Sequence, residues 1–238
     1  MLPPRGWSAD EDGSHMESRI SVKQFYEAEG VGDWRVVGSD GACAFFPTGS
    51  LASAARFVHA ISALPGVEDH RPDIDVRRDG VTVHFITATA NYMGMSTRDV
   101  ELARQISAAA RQLGLAADPS AVQSYLVIPG ATDPATVMPF WRAALGYVPR
   151  PDSPDEDLVD PHDRGPGFWF ERMEKPRPDG GGAIHFVVWV PYEQAQARIA
   201  AALAAGGRMV RDEFAPSWWT LADPAGNEVD IATTSGRD

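Results

Sequence analysis

Residues Asp69–Val83 read DHRPDIDVRRDGVTV and carry both a candidate imidazole and the pattern that frames it. Asp73–Arg78 (DIDVRR) and Val81–Thr87 (VTVHFIT) flank Asp79-Gly80. That dipeptide suits the positive φ angles of a tight hairpin, so the spacing predicts two antiparallel strands. Just before them, His70 and Arg71 stand directly ahead of Pro72, with Glu68, Asp69 and Asp73 around them.

Upstream, Ser50 caps a predicted helix in which Leu51, Ala54, Ala55, Val58, Ile61 and Leu64 recur every three or four residues until Pro65-Gly66 stops it. His59 adjoins that apolar stripe and reads as a packing residue. Earlier still, VKQFYEAEG reads as a short helix closed by Gly30, and WRVVG and ACAFFP as strands around a Ser39-Asp40-Gly41 turn. Downstream, Ser96 or Thr97 starts a helix striped by Val100, Ala103, Ile106, Ala110 and Leu113 and ended by Gly114. Ile20–Leu115 is thus predicted as an α-ββ-α-ββ-α unit.

A short polar connection, Leu115–Ala121, leads to what reads as two copies of one βαβββ pattern in Val122–Thr234. Gln123 precedes Pro129 by six residues on the strand-like QSYLVIP, and His185 precedes Pro191 by six on HFVVWVP. A helical stretch follows each. The expected class is α+β with two domains, 20–115 and 122–234, behind a tail of nineteen residues rich in Pro, Gly, Ser and acid. His15, within a GSHM run that reads as a cloning remnant, carries no functional weight.

The 238 residues are 44% hydrophobic and 23% charged, an ordinary globular composition. Lys plus Arg total 21 against 33 Asp plus Glu, a formal charge of −12. Such a surface repels phosphate backbones, so neither nucleic acid nor an anionic membrane is an expected partner. No run of about 20 apolar residues is present to span a bilayer, and no secretory leader is read at the start. The single Cys43 forms no intrachain disulfide, which points to the cytoplasm.

The run DHRPDIDVRRDGVTV, followed by GMSTRDVELA at Gly94–Ala103, resembles the pterin-4a-carbinolamine dehydratase family. The family pattern is His-His-Pro, a strand pair, Thr-His, and an acid at a helix start. The resemblance covers about Ile20–Leu115 and implies a four-stranded antiparallel sheet with helices on one face. It also implies a hydro-lyase reaction, loss of water from a 4a-hydroxytetrahydropterin, with no required cofactor. By residue match His70 is the first family histidine, Pro72 the proline and Asp99 the helix-start acid. Arg71 replaces the second histidine and Ala88 falls near the third. Histidine suits a proton transfer near neutrality, whereas arginine stays charged and serves as a ligand contact. The expectation is therefore His70 as the proton-transfer residue, helped by Asp73, Glu68 or water, with Arg71, Pro72 and Asp73 lining the substrate. His84 reads as a surface or interface residue.

PFWRAALGY, IHFVVWVP and WWTLADPAGNEVDIAT make Val122–Thr234 similar to the glyoxalase/bleomycin-resistance, or vicinal oxygen chelate, group. Metal-bearing members take ligands from the first and last strand of each module. By residue match these are Gln123, His185 and Glu228 for a divalent ion, with Phe168 spoiling the fourth place and Glu171 three residues further on. Five of the seven tryptophans, Trp141, Trp169, Trp189, Trp218 and Trp219, lie here, the first expected in packing. The rival function is thus a small-molecule binding protein built on this aromatic half. Gly180–Gly182 reads as a hairpin and His162 as exposed. Both groups commonly self-associate, so a homo-oligomer is implied.

Overall fold

The computed structural model describes residues 19–38, 41–89, 92–163, 165–175, 184–222 and 228–236. Its main division, at Val122/Gln123, separates two compact units. The turn at Ser39-Asp40, the glycines 180–182 and the Asp-Pro-x-Gly-Asn run at 223–227 lie outside the described residues. Among the described residues no helix is long and apolar enough to cross a membrane.

The first unit runs β1 (Arg19–Ile20), α1 (Val22–Glu27), β2 (Arg35–Val36), β3 (Ala42–Pro47), α2 (Leu51–Ser62), β4 (Asp73–Val76), β5 (Gly80–Phe85), β6 (Thr87–Thr89), β7 (Tyr92–Ser96) and α3 (Thr97–Gln112). Strands β2-β3-β5-β4 form an antiparallel sheet, the expected architecture. A second small sheet, β1-β7-β6, was not read from sequence, and it draws Arg19 out of the predicted tail into pairing with Ser96. Two-residue strands carry too little alternation to be seen.

Because strand side chains alternate, one sheet face presents Ala42, Ala44, Phe46, Val81, Val83 and Phe85 to Phe57 and Ile61 of α2 and to Val100, Ala103 and Ile106 of α3. Phe46 and Phe57 meet edge to face at 4.9 Å. Truncating either ring would cost about 3–5 kcal/mol. Trp34 is fully buried, and its indole N–H donates to the Ala103 carbonyl at 3.2 Å and to Ser107 Oγ at 3.1 Å. The stripe predicted for α2 is out of phase at its start: Leu51 is 74% exposed, and Phe57 takes the inward place. His59 is exposed instead of packed.

The β4-β5 hairpin forms as expected, with Arg77 N–H donating to the Gly80 carbonyl at 2.9 Å, but neither Asp79 nor Gly80 has a positive φ. Gly80 is required for a different reason. A Cβ there would lie 2.5 Å from the Phe46 carbonyl oxygen and 2.6 Å from the Phe45 ring. The segment read as a connection is docked on the first unit: Leu115 and Ala117 pack on its core, and Asp118 N–H donates to the Phe45 carbonyl at 2.8 Å.

The second unit is a nine-stranded sheet. Its first half holds β8 (Ser124–Ala131), α4 (Pro134–Leu145), β9 (Val148–Arg150), β10 (Ser153–Val159), β11 (Gly167–Trp169) and β12 (Glu171–Arg172). Its second half holds β13 (Ile184–Trp189), α5 (Tyr192–Ala204), β14 (Arg208–Arg211), β15 (Trp218–Ala222) and β16 (Glu228–Ala232). The order β14-β15-β16-β13-β8-β11-β10-β9 reads the same outward from the antiparallel β13/β8 pair in either direction, with β12 also on β8. The repeat seen in the sequence is therefore a pair of βαβββ modules. Each helix covers its own module: Met138 and Trp141 lie with Val127, Leu158 and Phe168, while Ala195 and Ile199 lie with Trp219, Leu221 and Ile231.

Candidate functional site

His70 is placed by a short chain of local causes. Gly66, at φ +72°, turns the chain out of α2 into a single 3-10 turn, Val67–Asp69, whose Val67 is buried. His70 ends that turn, its N–H donating to the Val67 carbonyl at 3.3 Å, and Pro72 then favours extended backbone leading into β4. The ring stands edge-on to Phe85 at 6.0 Å, and the side chain is 15% exposed. Its Nε2 lies 2.6 Å from Oδ1 of Asp99.

Asp99 is fully buried in the first turn of α3. Its other oxygen, Oδ2, accepts the Ser96 N–H at 2.5 Å, closing a capping box, and the Thr87 hydroxyl at 2.8 Å. Since Thr87 has one proton and gives it to Asp99, the 2.7 Å contact between Thr87 Oγ1 and Ser96 Oγ is donated by Ser96. Both carboxylate oxygens are thus engaged, and three protein donors converge on one buried anion. A carboxylate oxygen at 2.6 Å accepts a hydrogen bond from Nε2–H, which leaves Nδ1 as the nitrogen with the lone pair.

In the second unit the three expected metal donors do not converge. His185 and Glu228 are lateral neighbours, since β13 and β16 run parallel with Phe186 beside Val229. His185 Nε2 lies 3.7 Å from Asp230 Oδ2, and Asp230 Oδ1 accepts the Thr220 hydroxyl at 2.6 Å. Glu228 lies 3.6 Å from the Arg211 guanidinium. Gln123 is five positions along β8 from Ile128, the residue opposite His185. At about 3.3 Å per residue that is roughly 16 Å away. Its amide oxygen accepts two 3.3 Å hydrogen bonds from Arg198, and its amide nitrogen donates to the Tyr125 hydroxyl. An oxygen already facing a guanidinium is a poor ligand for a divalent cation. The set Gln123, His185 and Glu228 does not fit a metal. Phe168 is buried among Trp141, Tyr147 and Phe170, the fate of a core residue.

Comparison with known families matches residues 29–109 to pterin 4 alpha carbinolamine dehydratase and residues 125–232 to a glyoxalase-like domain. The chain joins a pterin carbinolamine dehydratase domain to a glyoxalase-like domain. No curated protein matches it. Among solved structures, one described as an NAD-dependent benzaldehyde dehydrogenase from Legionella pneumophila is 16% identical with a TM-score of 0.33, covering 46% of this chain and 97% of that one. A glyoxalase/bleomycin resistance protein/dioxygenase superfamily member from Vibrio splendidus 12B01 is 14% identical with a TM-score of 0.30, covering 47% and 99%.

Within the dehydratase domain the residues expected around His70 are distributed unevenly. Arg71 is 76% exposed, and its Nε lies 3.3 Å from both the Glu68 carboxylate and the Glu68 carbonyl. Pro72 is half-buried. Asp73 is opposite His84 on the antiparallel β4-β5 pair, so both side chains lie on the sheet face away from Phe85. His70 instead stands against Phe85, and its carboxylate partner is Asp99. In the glyoxalase-like domain Trp141 packs as expected, Trp189 and Trp219 are buried, and Trp169 is 36% exposed. His162 is exposed, as read. A cavity of about 1020 Å³ lies between α4 and strands β9 to β12 and includes Trp169 and Glu171 among its walls.

The partner of His70 was the residue sequence reasoning missed. Ser96-x-x-Asp99 signals a helix start, and that role accounts for only one of the two carboxylate oxygens. Thr87 precedes Ala88 as the threonine of the family's Thr-His pair precedes its histidine, but nothing in the sequence ties it to Asp99.

Proposed function

We propose that the dehydratase domain removes water from a 4a-hydroxytetrahydropterin, with His70 carrying the proton. The observation that supports this reading is the 2.6 Å contact between His70 Nε2 and the buried Asp99, in a domain that matches the dehydratase family.

The reaction breaks the C4a–O bond, removes the proton from N5 and forms the C4a=N5 double bond of the quinonoid dihydropterin. One proton leaves nitrogen and one joins the departing hydroxyl, so a single imidazole that takes the first and delivers it to the second balances the step. Asp99 holds the Nε2 proton, so Nδ1 is the nitrogen that accepts from N5. Asp99 also stabilises the imidazolium while it carries the proton, since its charge lies in a buried setting with fixed donors behind it. A family member with more imidazoles can divide acid and base between two rings. Here one ring does both in sequence, which predicts a slower enzyme.

Arg71 and Pro72 serve as substrate contacts: the exposed guanidinium beside His70 offers planar donors to the pterin carbonyl after release from Glu68. The chain's single cysteine, Cys43, is buried, which suits a reducing cytoplasm. The test is the rate of dehydration of freshly generated 4a-hydroxytetrahydropterin with wild-type protein and with His70→Ala. Loss of acceleration in the variant supports the assignment.

A further inference from the structure

The cavity of the glyoxalase-like domain belongs to neither His70 nor the His185/Glu228 pair, none of which lines it. Its inner walls are Met138, Tyr147, Leu158 and Phe170, all buried members of one core cluster, so its shape is fixed before any ligand arrives. Its volume, about 1020 Å³, is at the upper end of the range typical for small organic ligands. Four wall positions, Pro134, Pro139, Pro149 and Pro154, are prolines. Proline has no N–H, so these four positions give an anion no backbone donor. Trp169 adds a large, partly exposed ring.

Charge decides what such a pocket prefers. Asp155, Glu156 and Glu171 line it against Arg142 and Arg172. The lining thus carries three acids against two arginines, and the Arg172 guanidinium, 73% exposed, lies 3.9 Å from Asp133, a carboxylate outside the lining. The formal charge of −12 adds a long-range field that enriches cations near any concave acidic surface. A carboxylate rim, an exposed indole and a donor-poor proline wall together describe recognition of a flat cation, by charge at one end and by ring faces along its body.

We infer that this cavity binds a planar organic cation, an aromatic ring system bearing a quaternary or protonated nitrogen. The site is independent of the dehydratase reading. The experiment is calorimetric titration of the full chain with N-methylquinolinium and, separately, with 2-naphthoate, an anion of similar size. The expected result is binding of the cation at least about tenfold tighter than the anion, a factor within the range of a partly desolvated cation–aromatic contact. Glu156→Gln should weaken it severalfold, Trp169→Ala about tenfold, and Ala135→Trp, an exposed wall position on α4, should block it. Equal affinity for the two probes, no binding at millimolar concentration, or binding indifferent to Ala135→Trp would each overturn the inference. If Trp169→Ala fails to fold, Ala135→Trp and Glu156→Gln still decide it.

Discussion

His70 Nε2 and Asp99 Oδ1 are 2.6 Å apart although 29 residues separate them in the chain. A loop that ends a 3-10 turn and the first turn of α3 are thereby tied through one buried carboxylate, and the same carboxylate caps that helix. Structural and chemical roles therefore share an atom group, and substitutions there have to separate them.

Asp99→Asn is the substitution that does so. The amide keeps an oxygen for the Ser96 N–H and the Thr87 hydroxyl but presents N–H instead of oxygen to His70, which forces the proton onto Nδ1 and removes the base. The dehydration rate should fall close to the spontaneous rate while the far-ultraviolet circular dichroism spectrum is unchanged. Asp99→Ala, by contrast, strands two buried donors and should lower stability by about 2–4 kcal/mol in denaturant unfolding.

Arg71 lies on the surface, so its replacement tests binding without touching the fold. Arg71→Gln should raise KM severalfold with kcat nearly unchanged, because uniform binding is lost and the proton path is intact. Steady-state kinetics over a range of substrate concentrations separates the two constants.

Burial raises the Asp157 carboxyl above its ordinary range, more than its hydrogen bond with Ser153 and the charge of Arg150 lower it. A raised folded-state pKa means that the stability associated with the neutral acid is complete below the unfolded value, near 3.9, and lost as pH rises through the folded one. Asp157→Asn should therefore raise the melting temperature at pH 7 and give no gain near pH 3. Thermal scans at the two pH values check the sign.

Gly80→Ala should destabilise the dehydratase domain by about 1–3 kcal/mol, since the new Cβ meets the Phe46 carbonyl at 2.5 Å. Gly49→Ala, with open space but a φ of +67°, should cost only about 1 kcal/mol. Chemical denaturation of both variants tests whether close approach outweighs backbone strain here.

Much of this architecture is written as period and punctuation. The α3 stripe of Val100, Ala103, Ile106 and Ala110 lies inward as its spacing demands, while its last member, Leu113, is the exposed C-cap, and the paired modules show in the equal spacing from Gln123 to Pro129 and from His185 to Pro191. Neighbourhoods between distant segments are not written that way. Gln123 and His185 occupy equivalent places in the repeat, yet the antiparallel β8/β13 pairing carries equivalent places apart. Asp99 has the opposite history: a local signal gave its cap, and only the fold brings His70 to its second oxygen. The Leu51 error is of a third kind, because the first residue of a helix lies at the rim whatever its hydrophobicity.

The account rests on His70 as the proton carrier, and stopped-flow absorbance of freshly generated 4a-hydroxytetrahydropterin measures that directly. Wild-type protein should speed its decay to the quinonoid dihydropterin at least about tenfold over the spontaneous rate, a modest share of what one acid–base group supplies, and His70→Ala should return it to that rate. A wild type no faster than buffer, or a His70→Ala protein as fast as wild type, would contradict it.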